Sequence, residues 1–364
     1  MNRQNMRSGN TLNPGRRASA VLLAACFLIL APASRAQLAT LGPVTIGAGL
    51  RTDFTATEPN GGKNTDQFAL DDLRLYVNGT VTENIKFMFN TDYNSITNTM
   101  QVLDGVGEFS FGPHVNIWAG RFLPPSDRAN LNGPFYAHEW KEYTDGIQDG
   151  YPSVFQGRDN GVVWWGDFAK KIKVSVGGFD GGTVTGKKQV IGAARVQIDF
   201  WDPEEGYYLN STYYGDKNLL AIGLAAQLQD GNTGSTGDFL LEKKVLNGGA
   251  FTIEAEVSDY NRLGGYNAAY SKSQGEYGLV SFLFPKVVPI GKLNGKFEIL
   301  GKYAKADFTH GVGVPNYDQR TAEVNLNYVI KQFNARIQTF YEDFNYNRLK
   351  PDTWAAGIGL QLQI

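Results

Sequence analysis

The stretch Thr353-Trp354-Ala355-Ala356-Gly357-Ile358-Gly359-Leu360-Gln361-Leu362-Gln363-Ile364 decides the fold. From Trp354 onward every second side chain is apolar: Trp354, Ala356, Ile358, Leu360, Leu362 and Ile364. Gly357, Gly359, Gln361 and Gln363 lie between them. Side chains alternate faces along a strand, so one face suits hydrocarbon and the other suits water. A strand at the very end of a chain must pair with something already made. In a closed antiparallel barrel that partner is the first strand.

The same period of two recurs along most of the chain. Leu73, Leu75, Val77, Gly79 and Val81 oppose Asp72, Arg74, Tyr76 and Asn78. Ile85, Phe87 and Phe89 oppose Lys86 and Asn90, and Phe251, Ile253, Ala255 and Val257 oppose Thr252, Glu254, Glu256 and Ser258. Ala322, Val324, Leu326, Tyr328 and Ile330 oppose Glu323, Asn325 and Asn327. A soluble sandwich also alternates, but its strands are usually five or six residues long. These runs reach ten or more. Turns such as 82–84, 112–113 and 331–332 are tight, whereas 55–67, 123–157, 261–273 and 306–318 read as long loops. Tight turns at one end and long loops at the other are the pattern of a barrel in an outer membrane. Aromatics gather near strand ends (Trp201 with Tyr207 and Tyr208, Tyr213 with Tyr214, Tyr341 with Phe344 and Tyr346, and Trp354) and read as interfacial belts.

The fold class expected is therefore all-β: a closed antiparallel transmembrane β-barrel with a long inserted loop. Seventeen segments read as strands, near 44–54, 68–81, 84–94, 102–111, 114–122, 159–167, 171–180, 189–200, 206–214, 218–229, 236–246, 250–260, 274–284, 293–306, 318–330, 332–344 and 353–364. Bacterial single-chain barrels have even numbers of strands. Orienting the loops from both termini gives a clash between about 160 and 230, where either one segment is not a strand or a further strand is hidden, and about sixteen strands are expected. At that size the interior is wide enough for water.

The N-terminus reads as a secretory signal. Arg3, Arg7, Arg16 and Arg17 precede an apolar run from Ala20 to Ala31, which is too short to span a bilayer, and cleavage is expected after Ala36. Residues 37–364 then form the barrel, in the outer membrane of a Gram-negative cell, crossing its lipid many times. Leu23-Ala24-Ala25-Cys26 has the look of a lipidation box, but the apolar run continues past the cysteine. Removal of residues 1–36 takes away the only cysteine and leaves 29 basic against 36 acidic residues, a charge of −7. That is no footprint for nucleic acid.

The inferred wet face carries both signs. Arg51, Arg74, Lys86, Arg195, Lys296, Lys302 and Arg336 belong to it, with Asp53, Asp72, Asp92, Asp199, Glu254, Glu256, Glu298, Glu323 and Glu342. Arg51, Arg74, Lys86, Arg195, Lys296, Lys302, Arg336, Asp72 and Asp92 are the pore-lining candidates. Residues 123–157 form the longest irregular stretch, rich in aromatics (Phe135, Tyr136, Trp140, Tyr143, Tyr151, Phe155) that argue against disorder. Folded into the lumen, this segment would act as a constriction loop; the other reading is an external cap. Its charges are Asp127, Glu139, Glu142, Asp145 and Asp149 against Arg128 and Lys141, an excess that favours cations in a confined space.

Three stretches carry a family resemblance: Leu70-Asp71-Asp72-Leu73-Arg74-Leu75-Tyr76-Val77-Asn78-Gly79, Trp118-Ala119-Gly120-Arg121-Phe122-Leu123-Pro124-Pro125, and Gly157-Arg158-Asp159-Asn160-Gly161-Val162. In order and spacing they resemble the phosphate-selective porin O and P family of outer-membrane porins. The resemblance implies a sixteen-stranded, typically trimeric barrel that carries small hydrophilic solutes or inorganic ions. The negative mature charge and acid-rich loop depart from the anion guidance of the family's best-known members.

Nothing points to catalysis. His114, His138 and His310 are isolated, no C-x-x-C-H or G-x-S-x-G stretch occurs, and no metal or cofactor site is expected. The functional expectation is a porin for passive diffusion. The alternative is a structural barrel that sheathes a periplasmic partner or electron carrier.

Overall fold

The computed structural model describes residues 39–41, 43–59, 62–94, 97–148, 150–181, 189–347 and 350–364. The export signal expected at residues 1–36 lies outside them. The described chain runs through β1 (Ala39–Leu41), β2 (Val44–Pro59), β3 (Thr65–Thr82), β4 (Ile85–Asn94), β5 (Thr99–Ser110), β6 (Asn116–Phe122), β7 (Asp159–Phe168), β8 (Ile172–Phe179) and β9 (Ile191–Asp199). It continues through β10 (Leu219–Gln229), β11 (Asn232–Val245), β12 (Gly249–Asn261), β13 (Tyr270–Ile290), β14 (Leu293–Gly311), β15 (Tyr317–Lys331), β16 (Ala335–Asn345) and β17 (Thr353–Gln363). Each of β2 to β17 pairs antiparallel with the next, and β17 returns to β2, closing a sixteen-stranded barrel. The closing ladder runs from Thr353↔Pro59 to Gln363↔Gly49, and the Ile364 amide donates to the Ala48 carbonyl at 2.9 Å. The short β1 pairs with Val44–Ile46, the part of β2 that β17 does not reach.

Alternation becomes sidedness. In β15, Val324 and Leu326 are 54% and 50% exposed, whereas their neighbours Asn325 and Asn327 are 0% and 1% exposed. Leu73, Leu75, Phe87, Phe89, Val257, Val280 and Ile299 are exposed on the same outer surface. An apolar band of this extent around a closed ladder belongs in lipid, where every backbone polar group is paired within the sheet.

The surplus strand is 206–214. Residues 200–218 form an irregular connection between β9 and β10. They lie at the barrel end that holds the N-terminus of β2 and the C-terminus of β17, where the other connections are tight. Three of the long loops expected at the opposite end, 55–67, 261–273 and 306–318, are shorter than the sequence implies, because β2, β3, β13 and β14 run on beyond their alternating cores.

The interior is not uniformly wet. Trp118, Phe122, Val163, Trp165 and Phe179, from the walls β6 to β8, pack with Leu123, Leu131, Tyr151, Tyr207 and Leu209 into one buried cluster inside the barrel. Tyr207, Tyr208 and Tyr214 are therefore lumen-filling residues, not belt residues, and Phe344 and Tyr346 also pack together in a buried cluster. Tyr341 and Trp354 stack at 6.2 Å in the adjoining strands β16 and β17.

Candidate functional site

The chain leaves β6 at Phe122 and does not return to the wall until Asp159. Between them it lies within the barrel. Among the described residues its one α-helix, α1 (Arg128–Asn132), is a single turn started by Asp127, whose side chain accepts from the Asn130 amide at 2.7 Å. Beyond it, Phe135, Trp140 and Ile147 are buried against the inner wall. Their seats are glycines. A Cβ on Gly359 would stand 2.4 Å from the Trp140 ring, and one on Gly49 would stand 2.7 Å from the Phe135 ring. Only a missing side chain lets the segment come this close.

Polar contacts fix the rest of its path. Arg51 donates to the Trp140 carbonyl at 2.7 Å and stacks over the Trp140 ring, while the indole N–H donates to Asp53 at 3.1 Å. Lys141 reaches Asp53 at 2.5 Å. Lys302 meets Glu139 at 2.6 Å and Asp145 at 2.8 Å. Arg336 donates to the Ala137 carbonyl at 2.7 Å and to Gln361 at 2.9 Å. His138 is buried against Glu298 at 2.8 Å. Burial alone would depress its imidazole, but the Glu298 carboxylate raises it above the usual range.

Residues 200–218 enter from the other end and meet this segment. Arg128 makes a two-pronged contact with Glu204, Nη1 to Oε1 at 2.8 Å and Nη2 to Oε2 at 2.6 Å, with both side chains fully buried. Arg128 also donates to the Asn210 carbonyl at 2.7 Å. The Leu209 amide donates to the Leu131 carbonyl, the Ser211 amide to Tyr136, and the Tyr207 hydroxyl to Leu123. At the seam, Leu131, Tyr207, Leu209, Lys173 and Arg195 leave a cavity of about 10 Å³, which is room for one water. Burial would raise the Glu204 carboxyl, but the Arg128 guanidinium outweighs it and holds it at about 2. Burial pushes Asp127 up to about 6. Burial, with the neighbouring Glu139 carboxylate, pushes the Glu142 carboxyl well above its ordinary range.

The sequence-selected residues divide accordingly. Arg51, Arg74, Arg195, Lys302, Arg336, Asp72 and Asp92 are buried on the inward face. Arg51 pairs with Asp72 at 2.9 Å, Arg74 with Asp92 at 3.1 Å, and Arg195 with Asp238 at 2.8 Å. Lys86 and Lys296 stand near the tight-turn end, where Lys296 donates to the Gly248 carbonyl at 2.5 Å. Asp127, Arg128, Glu139, Lys141, Glu142 and Asp145 all lie on the inserted segment, and Asp149 is outside the described residues. Glu204 and Asp238 were not selected, although they hold Arg128 and Arg195. Glu204 sits in a segment whose alternating aromatics resemble a strand.

No protein-family model matches the sequence, and no curated protein matches it. Solved structures do. OprB of Pseudomonas putida superposes with a TM-score of 0.61 at 8% identity, over 88% of this chain and 94% of that one. OmpT of Vibrio cholerae in its trimer form gives 0.54 at 12% identity, over 89% and 100%. Salmonella typhi OmpF in complex with daunomycin gives 0.55 at 11% identity, over 88% and 97%. Identities this low carry the architecture alone. The chain has the fold of an outer-membrane porin barrel.

Proposed function

We propose that the protein is an outer-membrane channel for small hydrophilic solutes or inorganic ions, narrow and favouring cations. The observation that carries this is the acid-rich segment 123–158 seated against the inner wall of a closed barrel, where it would act as the constriction. Arg51, Arg74, Arg195 and Lys302 are each tied to carboxylates, so they form no free ladder for anions. This argues against the anion guidance of phosphate-selective porins, although two of the three resembling stretches, 118–125 and 157–162, flank the points where the segment leaves and rejoins the wall. The trimer form of the OmpT structure supports a homotrimeric assembly here. A sheath for an electron carrier needs an empty lumen, and residues 123–158 and 200–218 occupy that space. Diffusion through the barrel asks for no catalytic group.

Reconstitution in a planar bilayer under a KCl gradient tests the reading. The expected reversal potential lies on the cation side or close to zero. A potential near the chloride limit would overturn cation preference, and a silent bilayer would overturn the channel.

A further inference from the structure

The outer wall changes character where β8 to β11 reach the tight-turn end. Their outward side chains are apolar and in register: Ile172, Ile198 and Ile222 stand in one cross-strand row and Val196 with Leu224 in the next, all exposed. At the edge itself stand four exposed lysines, Lys170 and Lys171 on the turn between β7 and β8, and Lys243 and Lys244 near the end of β11. Phe200 and Trp201 join the two pairs and are themselves exposed. Lys171 donates to the Phe200 carbonyl at 3.4 Å and to the Trp201 carbonyl, while the Lys243 ammonium lies 4.9 Å from the centre of the Trp201 ring. Trp201 therefore gathers both ammonium groups onto one patch. Among the described residues, none of the four lysines has a carboxylate partner. Asp202 is committed to the Asn218 amide at 2.7 Å, and with Glu205, the next acid along the loop, it leaves the lysines in excess.

Each part of this patch has its level in a bilayer. The isoleucine row faces hydrocarbon, and an exposed indole belongs at the boundary between acyl chains and headgroups. Lysine stems lie along apolar surface and carry their ammonium groups into the headgroup layer. Lysines without carboxylate partners at that level attract anionic headgroups. A soluble acidic partner would answer the charge but leave Phe200, Ile172 and Ile198 uncovered, whereas a lipid answers both. We propose that this edge of the barrel seats an anionic phospholipid, its phosphate between Lys171 and Lys243 beside Trp201 and its acyl chains against the isoleucine row. The site goes beyond the channel reading and does not need conduction, since it lies on the outer wall.

Fluorescence of the barrel folded into phosphatidylcholine bilayers tests it, with brominated phosphatidylglycerol or brominated phosphatidylcholine added at the same mole fraction as quencher. The difference between the parent and Trp201→Phe isolates the Trp201 signal. Brominated phosphatidylglycerol is expected to associate at Trp201 about fivefold more strongly than brominated phosphatidylcholine, and the preference should shrink in about 1 M NaCl, which screens such charges. Lys171→Gln with Lys243→Gln should bring the ratio close to one in a barrel still folded by heat-modified mobility, while Lys171→Arg with Lys243→Arg should keep the preference. Lys292→Gln, on the turn between β13 and β14, should behave as the parent does. Equal quenching by the two lipids in the parent, or a preference retained by the double glutamine variant, would overturn the site. So would an equal loss in Lys292→Gln, which would show diffuse charge around the rim, or a Trp201 response only to a soluble acidic peptidoglycan fragment, which would assign the patch to the cell wall. A barrel that shows the lipid preference yet passes no current keeps this site and loses the channel reading.

Discussion

The buried Arg128–Glu204 contact is the residue-level test of how the two inserted segments hold each other. Removing one partner of a buried pair strands the other charge, so Glu204→Gln should cost about 3–5 kcal/mol in urea unfolding. Arg128→Met with Glu204→Leu should cost less than Glu204→Gln, because neither charge is then left buried. The pH dependence has a definite sign. Glu204 lies below its ordinary value, so its contribution is complete above pH 4.5 and is lost as pH falls towards about 2. Asp127 works in the opposite sense, since its raised carboxyl favours the folded state at low pH and that advantage fades as pH rises through about 6. Urea midpoints between pH 2 and 8 should therefore rise above pH 2 and soften near 6, and Glu204→Gln should remove the acidic limb. Gly359→Ala tests the wall beneath Trp140. Its Cβ would stand 2.4 Å from the ring, and overpacking of this kind costs about 1–3 kcal/mol. Tryptophan fluorescence should report the displaced segment.

Elements tell how far alternation can be trusted. Strands with one apolar and one polar face, such as β12, β15 and β17, were legible because lipid and lumen impose opposite demands on successive residues. On this basis Val324→Arg should destabilise the barrel by about 2–4 kcal/mol near mid-membrane. Asn325→Asp on the opposite face should cost far less in lipid terms, and heat-modified mobility in detergent would rank the two. β6 and β7 were less legible. Ile117 with Trp118 and Val162 with Val163 are apolar on both faces, because the inner face packs on buried aromatics instead of water. Such continuous apolar runs signal burial on both sides, and that signal was present at 117–119 and 162–165. Residues 206–214 misled for a related reason. Tyr207 and Leu209 are both buried in the aromatic cluster, so alternate apolar residues are buried here without a strand ladder.

At the scale of the whole molecule, the barrel and its inserted contents make separate contributions. The strand β17 was readable from the alternation of Thr353–Ile364, and its ladder with β2 closes the barrel. The second inserted segment was not readable, because a lumen is filled by contacts between residues far apart in sequence, such as Arg128 and Glu204. Residues 123–158 and 200–218 enter from opposite ends and meet, and on the proposed channel reading they together set the width of the conducting path. Single-channel conductance in 1 M KCl tests this most directly, on the parent, on a protein lacking 126–150, on one with 206–214 replaced by a four-residue turn, and on one with both changes. The expected order is a small parent conductance, a rise for each single change, and the largest conductance for the double change. Equal conductance in all four proteins, each shown to be folded by heat-modified mobility, would contradict it.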